Sequence, residues 1–106
     1  MISKEQIEVV VQKIVEFYQP EQVILFGSYA TGTAHEGSDL DFLLVKETNE
    51  SPVNRSALVR RKLRNLLIPM DILVFTPEEI AKDKFRKNTF IHEIFKNGKS
   101  LYEYKR

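Results

Sequence analysis

The sequence contains no cysteine. That one absence excludes disulfides, thiolate zinc sites and cysteine nucleophiles together, and it fits a reducing, cytoplasmic setting. Long apolar runs are missing as well. No stretch approaches the roughly 20 residues needed to cross a bilayer, and the first residues lack a basic segment followed by an apolar one. Nor does charge of one sign dominate. Sixteen Lys and Arg against 15 Asp and Glu leave a formal net charge of +1, so no global field favours nucleic acid, and no motif that reads a base sequence is present. Internal repeats and low-complexity segments are absent. What remains is 106 residues, 42% apolar and 29% charged, the composition of one globular domain that buries a single core.

The residues with most chemical content lie between Leu25 and Val45. Gln22 to Phe26 is a short, nearly all-apolar run, expected to be a strand buried on both faces. It leads directly into Gly27-Ser28 and a brief helix, Tyr29 to Thr31, which Gly32 ends. A strand that turns at once into a helix leaves backbone N–H groups without intrahelical acceptors, where a phosphate can sit. Gly27 lets the backbone approach that phosphate closely, and the Ser28 hydroxyl adds a hydrogen-bonding group. The loop from Thr33 to Ser38 carries His35 and Glu36, read as solvated side chains, with a phosphate contact or a base as the other role open to His35. Asp39 to Lys46 is the second strand, with Asp39 and Asp41 on the face that Leu43 and Val45 continue into the core. Two carboxylates so placed, about 6–7 Å apart, repel by about 2–3 kcal/mol at an effective dielectric near 20 and by less than about 1 kcal/mol in open water. The pair alone is therefore compatible with a solvated strand start as well as with a magnesium site.

Around this segment the pattern is structural. Ser3 and Gln6 form a capping box for a first helix whose apolar stripe is Ile7, Val10, Val11, Ile14, Val15 and Tyr18, stopped by Pro20. Glu47 to Pro52 is a polar loop, the expected site of least order. Asn54 or Ser56 would cap a helix running to about Leu67, with Val59, Leu63, Leu66 and Leu67 buried. Arg55, Arg60, Arg61, Lys62 and Arg64 fall on its other side, a solvated basic face or a surface for an acidic partner. Pro69 to Thr76 is a third strand interrupted only by Asp71, an acid that is costly to bury without a partner. Thr76-Pro77-Glu78-Glu79 starts another helix. A last helix, Asn88 to Asn97, buries Phe90, Ile91, Ile94 and Phe95 and ends at Gly98, with His92 satisfied in place. Leu101, Tyr102 and Tyr104 form a final short strand or edge, the tyrosines packing or meeting a partner. Together these elements predict an α/β or α+β domain, residues 1–106, on a mixed sheet with helices packed on one face.

Gly27-Ser28, ten further residues, then Asp39-Leu40-Asp41 resembles the signature of the minimal nucleotidyltransferases of the DNA polymerase beta-like superfamily. Ala30, Gly32-Thr33-Ala34 and Ser38-Asp39 follow the same pattern; Thr31 stands where many members carry arginine. The resemblance implies the nucleotidyltransferase fold and a third carboxylate, Asp71, on a later strand. It implies ATP as substrate, held at Gly27, Ser28 and Ser38, with Mg2+ held by Asp39, Asp41 and Asp71, which are also the catalytic set. Asp71 would draw the proton from the acceptor hydroxyl. Small proteins of this kind often pair with HEPN-type toxins and act as antitoxins that transfer AMP to a tyrosine of the toxin, so a protein partner is implied as well. The other expectation is a non-catalytic nucleotide-binding module that neutralises its partner by stoichiometric binding.

Overall fold

In the computed structural model, which describes residues 1–104, the chain folds around a four-stranded mixed sheet. The strands are β1 (Gln22–Phe26), β2 (Leu40–Val45), β3 (Met70–Phe75) and β4 (Lys99–Glu103), in the order β3-β2-β1-β4. β1 runs antiparallel to both β2 and β4, and β2 runs parallel to β3. The helices are α1 (Lys4–Tyr18), α2 (Ser28–Thr31), α3 (Pro52–Leu63), α4 (Pro77–Asp83) and α5 (Phe90–Asn97). α3 is the crossover that a parallel β2–β3 pair requires.

Local sequence accounts for most boundaries. Ser3 accepts from the Gln6 N–H at 3.1 Å and the Gln6 side chain accepts from the Ser3 N–H at 2.8 Å, the expected capping box of α1. Gln19 takes a left-handed conformation and Pro20 ends the helix. Thr76 and Glu79 form a second capping box at α4, and Thr89 caps α5. α3 starts earlier than expected. Ser51, not Asn54 or Ser56, is its cap, accepting from the Asn54 N–H at 3.4 Å, with Pro52 in the first turn. The helix also ends earlier, at Leu63, and a 3-10 turn over Arg64–Leu66 brings Leu67 into a left-handed conformation, 88% exposed rather than buried.

One core lies between the sheet and α1 and α3. Leu40, Phe42 and Leu44 of β2, Val23 and Leu25 of β1, and Ile72 and Val74 of β3 pack there with Val10, Ile14, Val59 and Leu63. Complete burial of each large apolar side chain contributes roughly 1.5–3 kcal/mol, so this layer dominates the stability. The expectation of helices on one face describes α1 and α3 and has to be extended for the others. Ile24, Leu43 and Val45 point to the opposite face, where Ile80 of α4 and Ile91 and Ile94 of α5 cover them. The reason is the period of a strand: with both sets of alternating positions apolar, both faces need a cover. Phe90, expected in that cover, is 57% exposed and meets only the edge of the cluster, T-shaped against Phe26 at 5.9 Å.

The polar loop before α3 is anchored rather than loose. Arg55, expected on a solvated face, is buried. Its guanidinium donates to the Glu50 carbonyl at 2.7 Å, the Val74 carbonyl at 3.2 Å and the Glu79 carboxylate at 2.8 Å. Burial works to raise the Glu79 carboxyl, but the Thr76 N–H and the Arg55 guanidinium outweigh it and hold Glu79 below the ordinary carboxylate range.

Candidate active site

The uncovered end of the second sheet face carries the carboxylates. In the register of the sheet Phe26 pairs with Asp41, and Asp41 pairs with Asp71, so the three side chains form one row across β1, β2 and β3. Asp39, expected in the strand, lies just before β2 begins at Leu40, and its charge acts on Asp41 from there. Further along the same face, Leu43, Val45 and Phe75 disappear under α4 and α5. One face is thus apolar and covered at one end, and acidic and open at the other.

Gly27 lies against the middle of the row. It has φ 74° and ψ −155°, a conformation accessible essentially only to glycine. A Cβ there would collide with Oδ2 of Asp41. Besides permitting close approach of a ligand, the glycine makes room for the aspartate itself. Its carbonyl accepts from the Ala30 N–H at 3.0 Å and the Thr31 N–H at 3.1 Å, which locks the turn into α2. Ser28 is the first residue of α2, so its N–H belongs to the set that has no intrahelical acceptor. Thr31, at the family's arginine position, has a local role: its hydroxyl reaches the Gly27 carbonyl at 3.3 Å and the Thr33 hydroxyl at 3.0 Å. Ser38 closes the loop that leads to Asp39, its hydroxyl accepting from the His35 N–H at 2.9 Å. The His35 ring accepts from the Gly37 N–H at 3.2 Å and lies outside the carboxylate row. His92 bonds the Lys84 carbonyl at 2.9 Å and belongs to the α5 packing.

The electrostatics of the row are uneven. Burial raises the Asp41 carboxyl above its ordinary value, and the Asp71 and Asp39 charges raise it further. Asp71 has a partner that the sequence did not announce: the Arg60 guanidinium donates to its Oδ1 at 2.7 Å. Among the described residues no three His, Cys, Asp or Glu side chains converge as a metal-binding cluster. The charges of Asp71 and Asp39 act on Asp41, and Asp71 is paired with Arg60. The donor set suits a hard divalent cation: Asp41 and Asp71 are paired on one open face, and Asp41 sits in the negative field of Asp71 and Asp39.

Comparison with known proteins adds the family. Residues 8–106 match the family "Polymerase beta, Nucleotidyltransferase". The chain belongs to that family. No curated protein matches it. Among solved structures, it is similar to a putative nucleotidyltransferase from Sulfolobus solfataricus, at 25% identity over 96% of this chain and 78% of that one, with a TM-score of 0.59. It is also similar to a toxin–antitoxin structure with AMP-PNP, at 22% identity over 92% of this chain and 74% of that one, TM-score 0.63. A third likeness is to a tri-AMPylated Shewanella oneidensis HEPN toxin in complex with MNT antitoxin, at 16% identity over 92% and 72% of the two chains, TM-score 0.53. These neighbours confirm the nucleotidyltransferase fold.

Proposed function

We propose that this nucleotidyltransferase-family chain transfers AMP from ATP to a hydroxyl of a protein partner, as the antitoxin of a HEPN-type toxin pair. The observation that carries the reading is the in-register row of Asp41 and Asp71, with Asp39 beside it and the Gly27–Ser28 turn against Asp41. In this account the Gly27 and Ser28 N–H groups and the Ser28 hydroxyl bind the β- and γ-phosphates, and Ser38 lies on the nucleotide side of the loop before Asp39. Asp39, Asp41 and Asp71 would hold magnesium, which when bound supplies positive charge where the transition state gathers negative charge. Asp71, at the sheet rim where an acceptor can approach, takes the proton from the acceptor hydroxyl as its oxygen attacks the α-phosphorus. Pyrophosphate leaves from the side held by the turn. Support for a protein acceptor comes from the solved neighbours, two of which are toxin–antitoxin structures and one of which contains a tri-AMPylated toxin.

A second reading has one observation in its favour. The pairing of Asp71 with Arg60, which occupies a carboxylate oxygen, suits a module that binds its partner without chemistry. Intact-mass spectrometry separates the two. The chain is incubated with ATP, Mg2+ and the protein encoded beside it. Transfer predicts a gain of one or more adenylyl units on the partner, lost without metal and lost with Asp39→Asn. Tight binding with no mass change, and neutralisation preserved in an Asp39→Asn, Asp41→Asn double variant, would replace the transferase with the binder.

A further inference from the structure

The basic run of α3 divides into separate environments. Arg55 is buried against Glu79, whereas Arg61, Lys62 and Arg64 are exposed. Arg60 is exposed as well, but its side chain reaches Asp71. α3 packs on the face that carries Ile72 and Val74, while Asp71 projects on the other face, next to Asp41. β3 is an edge strand, so Arg60 can reach round it and place its guanidinium 2.7 Å from Asp71 Oδ1. Both side chains are about half exposed, at 50% and 53%. The contact is a single hydrogen bond rather than a two-point clamp. Such a pair fixes direction while holding weakly.

We propose that Arg60 is a positioning residue that holds the Asp71 carboxylate at the rim of the sheet and competes with a divalent cation for it. The inference rests on the reading of the carboxylate row as a metal site. A guanidinium and a cation cannot both have full use of the same oxygen. A doubly charged ion that also touches Asp39 and Asp41 displaces an exposed single charge, but it does so against the energy of the pair. For an exposed pair this lowers cation affinity by no more than about fivefold. Arg60 thereby sets how much cation is needed before Asp71 joins the row.

The test is calorimetric titration of the full chain with Mn2+ alone, which needs neither ATP nor a partner. Arg60→Gln is expected to bind Mn2+ about two- to fivefold more tightly than wild type. Arg61→Gln, which removes an equal charge from the neighbouring position, is expected to match wild type, and Arg60→Lys to fall between wild type and Arg60→Gln. In an Asp71→Asn background the Arg60→Gln gain should vanish. Equal affinities for Arg60→Gln and wild type, or equal gains from Arg60→Gln and Arg61→Gln, would overturn the role of Arg60. Loss of Mn2+ binding in Asp41→Asn would in that case leave the metal reading standing. Wild-type protein with no saturable Mn2+ binding, or binding indifferent to Asp41→Asn, would remove the metal reading and this inference with it.

Discussion

Two carboxylates on opposite sides of the sheet's charge balance show how the same chemistry serves structure in one place and a site in another. Glu79 sits at the corner of α3 and α4, where Arg55 and the Thr76 N–H meet it and hold its carboxyl low. Asp41 sits in the acidic row, where burial and two aspartate neighbours push its carboxyl up. α3 supplies an arginine to each region, at 2.8 Å in one and 2.7 Å in the other. Distance therefore does not separate them. The Arg55 side chain is 8% exposed and also holds two backbone carbonyls; that of Arg60 is 50% exposed and holds Asp71 alone. The first corner is complete in itself. In the second, three carboxylates lie near one loosely held guanidinium that meets only Asp71, and that surplus of negative charge suits a cation.

The comparison can be broken most forcefully at the complete corner. Arg55→Met strands Glu79 and the buried Val74 carbonyl and should cost about 3 kcal/mol in urea unfolding, discounted from the loss of a fully buried pair because Glu79 is partly exposed. The sign of its pH dependence follows from the lowered carboxyl. Glu79 stabilises the fold above its ordinary value of 4.5 and loses that contribution as pH falls through its lower folded value. The gap between wild type and variant should therefore narrow in acid. A gap that stayed the same over that range would mean Arg55 acts by packing alone.

Gly27→Ala comes next. It forces an alanine into a glycine-only conformation and against Asp41, for a loss of about 2 kcal/mol in the same assay. Asp41→Asn has the smallest effect on stability and the opposite sign. Removing a charge that burial and its neighbours disfavour should raise Tm by a few degrees at pH 7. The penalty for Asp41 appears as pH rises above its ordinary value of 3.8, so the gain should disappear below that pH. A drop in Tm would show that Asp41 is a structural carboxylate like Glu79.

Much of this was legible in the residues because the signals are local. The Ser3–Gln6 box, the apolar run Gln22–Phe26 and the Thr76-Pro77 start each fix an element through contacts a few residues apart. Placing Asp41 on the face of Leu43 and Val45 needed only the period of a strand. Other features depend on contacts distant in sequence. Arg60 meets Asp71 because β3 lies at an edge, and no spacing shows which strand is outermost. Arg55 did carry a readable signal, since it stands four and eight residues before Val59 and Leu63 on their buried stripe. Its charge argued for solvent, and only the fold shows that Glu50, Val74 and Glu79 wait there. Leu67 failed for a related reason: an apolar residue at helical spacing is not buried once the helix has already ended at Leu63.

The central claim is that the acidic row is unfavourable to the chain alone and favourable with its ligands. Thermal unfolding of wild type and Asp41→Asn, each with EDTA and each with saturating Mg2+ and a non-hydrolysable ATP analogue, tests it most directly. The account predicts a crossing. Wild type melts below the variant in EDTA and above it with the ligands, because only wild type converts the repulsion at Asp41 into binding. If the variant gained as much from the ligands as wild type, Asp41 would not hold the cation and the row would not be the transfer site.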